Sequence, residues 1–276
     1  MRDDLVLLDG AAGTTLWALA EQAGVEKTAP WKYNIEHPEL VRALYRQYID
    51  AGCAMIQCNT FDANGPSVRR ASAYTPGEVI AAAVKLAKEE TAGTDVGVYL
   101  SFGPLAQLLE PYGNLKKTQV TEIYSEMAEA GVAAGADAIM LETFMDVEMM
   151  RLAAESCLGR GVPVLCSMTF AKRRRTMMGD TVEKIVRTLE PLGIAAIGMN
   201  CSAGPVEALE IIREFREKTE LPLYFKPNSG MGETYSAEQF ALEVAPALEF
   251  VKYIGGCCGT DASYIRRLKE EIGKNR

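Results

Sequence analysis

Eight short apolar runs alternate with amphipathic helical patterns along a chain of 276 residues, which predicts an α/β protein built as a single (β/α)8 TIM barrel, one domain over residues 1–276. The length supports that count: eight units of about 34 residues each are slightly larger than a minimal βαβ block. A third observation weighs against the main competitor. An open doubly wound sheet that binds a dinucleotide carries a Gly-x-Gly-x-x-Gly turn after its first strand, whereas here the turn reads Asp9-Gly10-Ala11-Ala12-Gly13-Thr14.

The first strand is expected at 5–8, where Leu-Val-Leu-Leu follows a charged amino terminus. A helix over 38–51 opens on Pro38, suited to a first turn, and stops at Gly52, suited to a left-handed cap. The second strand, 54–58, leads to a helix over 76–90 opened by Pro76, and the third strand spans 96–100. In the next helix, 118–134, Val120, Ile123, Tyr124 and Met127 recur at helical spacing while Thr121, Glu122 and Glu126 take the other face; Thr118 is its expected N-cap and Gly135 its stop. Strand 138–141 precedes a helix over 147–158 capped by Asp146, and strand 164–168 precedes one over 181–192 capped by Asp180 and ended by Gly193. Strand 195–199 is followed by a helix over 205–218 with Pro205 in its first turn. Strand 223–226 is followed by a helix over 236–248 capped by Ser236, and strand 251–254 by one over 261–272 capped by Asp261.

Composition narrows the function classes. Hydrophobic residues at 48% and charged residues at 24% match an ordinary globular protein. A formal net charge of −8 argues against nucleic acid or an anionic membrane as partner. The one dense cationic run, Lys172-Arg173-Arg174-Arg175, is expected to be a solvated loop. The apolar stretch at 5–8 is too short for a signal-peptide core, and no apolar run is long enough to span a bilayer, so a cytoplasmic location is expected. Seven cysteines in such a chain fit reduced thiols or metal ligands better than disulfides.

In a barrel the carboxyl ends of all strands open on one face, so polar residues there meet in space. In order these are Asp9 and Gly10; Gln57, Asn59 and Thr60; Ser101 and Gly103; Glu142 and Thr143; Thr169; Asn200 and Cys201; Asn228; and Cys257 with Cys258. Cys201 follows the sixth strand and the cysteine pair the eighth, so three sulfurs could reach one zinc ion and leave its fourth position open. Adjacent strand residues point to opposite faces, so both members of the pair can ligate only where the backbone turns, as Gly255, Gly256 and Gly259 permit. Other readings stay open: Cys201 as a buried small hydrophobe, the glycine loop as a phosphate site, or a redox-active vicinal pair. Cys53, Cys58, Cys157 and Cys166 fall within strand or helix patterns and are expected to pack. His37, the only histidine, excludes a His-rich metal site and a Ser-His-Asp triad, and before Pro38 it has a structural role. Asp9 and Glu142 suit acid-base work or the binding of an ammonium group; the alternatives are a turn residue and a helix-terminal charge.

Taken with the segments Leu8-Asp9-Gly10, Gly13-Thr14, Asn59-Thr60-Phe61, Gly103-Pro104, Leu141-Glu142-Thr143-Phe144, Gly198-Met199-Asn200-Cys201, Pro227-Asn228 and Gly255-Gly256-Cys257-Cys258-Gly259-Thr260, the chain resembles the homocysteine S-methyltransferase family over nearly its whole length. That family includes betaine-homocysteine methyltransferase, S-methylmethionine-dependent enzymes and the homocysteine-binding module of cobalamin-dependent methionine synthase. The resemblance implies a barrel with zinc on Cys201, Cys257 and Cys258, homocysteine sulfur as fourth ligand, and methyl transfer to that sulfur to form methionine. It further implies that Asp9 and Glu142 hold the substrate amino group. The backbone after Gly10 and around Ser101 would hold its carboxylate, Asn200 would fix the turn that presents Cys201, and Asn59, Thr60 and Asn228 would line the mouth.

The form of the cysteine segments looks closer to methionine synthase modules than to S-methylmethionine enzymes, which often carry arginine after the cysteine pair. With no folate or cobalamin domain following, the expected donor is a methyl-corrinoid carried by a separate protein. The alternatives are a small donor (S-methylmethionine, S-adenosylmethionine or a betaine) and, in another class, an inactive zinc-binding or thiol-sensing barrel. One departure from the family pattern is Asp62, where many relatives have glycine: it either favours a cationic donor or caps a helix.

Overall fold

The computed structural model describes residues 4–230 and 234–274. Its eight strands are β1 (Val6–Leu7), β2 (Met55–Gln57), β3 (Gly97–Phe102), β4 (Ala138–Phe144), β5 (Val164–Met168), β6 (Ala196–Cys201), β7 (Leu223–Pro227) and β8 (Tyr253–Ile254). All pair in parallel, in the order β1-β8-β7-β6-β5-β4-β3-β2. The circle closes between its ends, where Ala54 N–H donates to the Leu7 carbonyl at 2.7 Å. This is the (β/α)8 barrel expected from the alternation, and among the described residues no helix is long and apolar enough to cross a membrane.

Helices Pro38–Ala51, Pro76–Glu90 and Pro205–Lys218 keep the expected bounds, each opened by its proline. Two expected caps are displaced. Lys116 rather than Thr118 precedes helix Lys117–Ala133, and Thr181 rather than Asp180 caps Val182–Leu189. Asp180 instead accepts from Val147 N–H at 3.0 Å and pairs with Lys184 at 2.5 Å, tying two neighbouring loops together. Helices Gly13–Gln22 and Gly65–Ala71 lie within connections where the sequence pattern predicts none. In the cationic run Arg173, Arg174 and Arg175 are exposed, as a solvated loop requires.

Strand periodicity divides the core in two. Outward-facing strand residues pack under the helices, whereas Leu8, Tyr99, Ala138, Met140, Leu165, Ala196 and Tyr224 form a separate cluster inside the barrel. Two residues further along each strand the same parity gives Ser101, Glu142, Ser167 and Lys226, all buried, with Asn200 four beyond Ala196. A polar layer therefore sits on an apolar plug and faces the open carboxyl end.

Candidate active site

Above that layer lies a cavity of about 390 Å³ that touches Gly10, Gln57, Glu142, Thr143, Lys226 and all three predicted ligand cysteines. Asn59, Thr60 and the aromatic residues Trp17, Trp31 and Phe61 complete its wall. Cys201 and the cysteine pair come from next-but-one strands with β7 between them. The sulfur of Cys201 lies 2.7 Å from that of Cys257 and 3.6 Å from that of Cys258, and the three fall within 4.8 Å of one another. All three are free thiols. A tetrahedral zinc site with Zn–S near 2.3 Å separates its sulfurs by about 3.8 Å, so small side-chain rotations would fit this trio to the ion. Cys53, Cys58, Cys157 and Cys166 are buried in the core, as packing residues should be.

Local backbone explains how three thiols converge. At the end of β6, Cys201 and Ser202 adopt φ of 52° and 71°, a left-handed pair that turns the chain off the strand. Asn200, fully buried, fastens this turn: its Oδ1 accepts from Thr143 N–H and from Ser167 Oγ, each at 2.8 Å, and its Nδ2 donates to Thr143 Oγ1 at 2.7 Å. The Asn200 carbonyl accepts from Thr169 Oγ1 at 2.7 Å. Thr143 reaches Asn200 because the β4–β5 register shifts between Leu141 and Phe144, with Thr143 at φ 65°. After β8 the chain leaves the sheet, and the Cys257 carbonyl accepts from Thr260 N–H at 3.1 Å, closing a turn. Gly259, at φ 80°, makes that turn, and a Cβ there would stand 2.1 Å from Ser229 Oγ. Gly255 serves close approach instead: its Cβ would lie 2.6 Å from the Asp9 carbonyl.

The thiols share their protons unevenly. Hydrogen bonds from Cys201, then Cys257, pull the Cys258 thiol down to about 3, while donation to Cys257 and Cys258 pushes Cys201 well above the thiol range. Nearby, burial pushes the Glu142 carboxyl up to about 7, against the lowering pull of Lys226. Glu142 accepts from Ser101 Oγ on Oε1, while its Oε2 has only a 3.4 Å contact with Asn200 Nδ2.

Several predicted contact residues stand behind the wall. Asp9 is 1% exposed and is saturated by the chain itself: Oδ1 accepts from Lys226 Nζ and Tyr99 Oη, each at 2.7 Å, and Oδ2 from Gln57 N–H at 2.6 Å. The Ser101 backbone, expected to hold a carboxylate, is not open to one, since its N–H donates to Thr60 Oγ1 at 3.1 Å and its carbonyl accepts from the same hydroxyl at 2.8 Å. Asn228 is buried and does not reach the cavity; its N–H donates to the Ala203 carbonyl at 3.1 Å. Asn59 lines the cavity but spends its amide on Pro30 and Asn34, clamping the loop that carries Trp31. Asp62 borders the cavity and accepts from Asn64 Nδ2 and Ser67 Oγ, each at 2.9 Å; Asn64, which accepts from Ser67 N–H, is the N-cap of helix Gly65–Ala71, so Asp62 braces the cap rather than forming it. His37 pairs with Glu39 at a helix entrance and takes no part in the site.

Lys226 was missed, although a signal existed: it is a lysine inside an apolar strand, at the same parity as Tyr224. Burial works against its charge, but Asp9 and Glu142 outweigh this and hold the ammonium above its ordinary value. Trp31, 1% exposed with Nε1 unpartnered among the described residues, was missed too, because it lies on a connection with no periodic pattern.

The chain is 29% identical to methionine synthase of Mycobacterium leprae and 30% identical to that of Mycobacterium tuberculosis, with 96% of the chain aligned in each case. It spans only 24% of the length of those proteins. It is 26% identical to betaine–homocysteine S-methyltransferase 1 of Bos taurus, over 93% of this chain and 70% of that one. Among solved structures, the homocysteine methyltransferase MmuM from Escherichia coli in its metallated form shares the fold with a TM-score of 0.79 at 23% identity, covering 98% of this chain and 96% of that one. The model of the family described as homocysteine S-methyltransferase matches residues 6–272, and the chain belongs to that family.

Proposed function

We propose that this barrel methylates the thiol of homocysteine to give methionine, with Cys201, Cys257 and Cys258 holding a zinc ion. The observation that carries the reading is the convergence of three free cysteine sulfurs within 4.8 Å at the wall of an open cavity. Bound there, zinc would lower the pKa of a thiol placed at its fourth position, so that the acceptor is a thiolate at neutral pH. The three cysteine thiolates would overbalance the charge of such an ion and leave the acceptor sulfur electron-rich. That sulfur forms the new S–C bond, the bond between methyl and donor breaks, and its electron pair stays with the donor.

The chain's own groups orient the acceptor. Glu142, which borders the cavity and whose Oε2 has only a 3.4 Å contact with Asn200 Nδ2, is the carboxylate assigned to an ammonium group. Ala12, Gly13 and Thr14 line the cavity at the start of helix Gly13–Gln22, where no side chain caps the first N–H groups, and suit the substrate carboxylate. Asn200 fixes both the Cys201 turn and the bulge at Thr143. For the donor, the alignment with methionine synthases supports a methyl-corrinoid. A second reading, a small cationic donor, is favoured by Trp17 and Phe61 standing 40% and 41% exposed at the cavity wall, since aromatic faces attract cations.

Metal analysis of the purified, reduced protein is expected to give one zinc per chain, lost in Cys201→Ala and Cys258→Ala. Methionine formation would then be assayed in parallel with methylcobalamin, S-methylmethionine, S-adenosylmethionine and glycine betaine. A reduced protein that takes up no zinc overturns the proposal, and activity only with a free sulfonium or betaine removes the corrinoid.

A further inference from the structure

The ion pair between Lys226 and Asp9 is the one among the described residues whose two side chains are both 1% exposed. Lys226 Nζ has three N–H groups and three acceptors: Asp9 Oδ1 at 2.7 Å, Tyr99 Oη at 3.0 Å and Gln57 Oε1 at 3.3 Å. Asp9 in turn has no oxygen left unengaged. An ammonium brought in by a substrate could reach Asp9 only by displacing Lys226, which would leave a second cation buried and unpaired. Lys226 itself borders the cavity, so the chain already carries an ammonium at the place where an amino-acid substrate would offer one.

We propose that Lys226 stands in for a substrate ammonium at Asp9, and that this barrel accordingly accepts carboxylate-bearing thiols with or without an α-amino group. The inference rests on the methyl-transfer reading above and deepens it by widening the acceptor class. Homocysteine keeps one ammonium contact, at Glu142. An acceptor such as 4-sulfanylbutanoate, which is homocysteine without its amino group, loses only that contact and leaves the Asp9 site fully paired. A lysine-free site would behave differently, because a bare buried Asp9 carboxylate would reward an ammonium and penalise its absence.

The test is calorimetric titration of the zinc-loaded protein with homocysteine and with 4-sulfanylbutanoate. The two dissociation constants are expected to lie within tenfold of each other in the wild type. Lys226→Met, which keeps the side-chain length but removes the charge, is expected to shift their ratio at least tenfold toward homocysteine. The double variant Asp9→Asn/Lys226→Met is expected to restore the wild-type ratio, which separates charge from packing. A wild-type preference for homocysteine above a hundredfold, or a ratio unmoved in Lys226→Met, overturns the inference. If the single variant does not fold, the wild-type ratio decides. Failure of both thiols to bind removes the methyl-transfer reading itself, an outcome distinct from a strong preference for homocysteine.

Discussion

Replacing Asn200 with alanine tests how the thiol cluster is held together. Asn200 is fully buried, and its removal strands two donors that it now satisfies: the Thr143 N–H and the Ser167 hydroxyl, both at 2.8 Å. A buried donor without a partner costs about 1–3 kcal/mol, so two cost about 2–6 kcal/mol, less whatever a water in the vacated space returns. The same change frees the Thr143 hydroxyl and loosens the turn at Cys201, whose left-handed backbone lies next in the chain. Loss of a group that orients a metal ligand lowers affinity about 10- to 100-fold. Urea unfolding of the metal-free protein, with zinc affinity measured by competition against a chromophoric chelator, reads both effects. Asn200→Asp keeps both acceptor contacts but sets a second carboxylate beside Glu142, so its defect is expected to shrink as the pH falls. If Asn200→Ala unfolds within about 0.5 kcal/mol of the wild type and binds zinc equally well, the hydrogen-bond argument is wrong.

Two further predictions follow from backbone and charge. Gly259→Ala places a side chain at φ 80° and 2.1 Å from Ser229 Oγ; a loss of about 1–3 kcal/mol is expected in urea unfolding, partly recovered by adding Ser229→Ala, and no loss would mean that the turn relaxes freely. The Glu142 carboxyl, raised by burial from 4.5 to about 7, binds a proton more tightly folded than unfolded. The stability of the metal-free protein should therefore fall as the pH rises through that window, by about 3 to 4 kcal/mol in all. Glu142→Gln should flatten the decline and be the more stable protein at pH 8; an unchanged slope would show that Glu142 is not its source.

The site was partly legible because barrel geometry converts sequence position into location. Once eight strands are counted, Cys201 and Cys257-Cys258 must reach the same face, and glycines around the pair mark the turn that regular strand geometry requires. Glu142 was found by the same rule. Asp9 obeyed it too, yet its location did not reveal its partners, since its neighbours Tyr99 and Lys226 lie 90 and 217 residues away in the chain. Ser101 and Asn228 sit at strand ends as counted, but neither borders the cavity. Strand parity alone could have flagged Lys226, because Leu223, Tyr224, Phe225 and Lys226 alternate outward and inward.

By itself, the sequence determined the periodicities, the helix starts at Pro38, Pro76 and Pro205, the eightfold count and the set of residues at the open end, all of which follow from local backbone preference and burial pattern. Only the tertiary structure decided which of those residues remain available to a ligand. Hydrogen-bond partners in a closed barrel come from strands far apart in sequence, and a carboxylate such as Asp9 is free or spent according to which cation folding brings beside it.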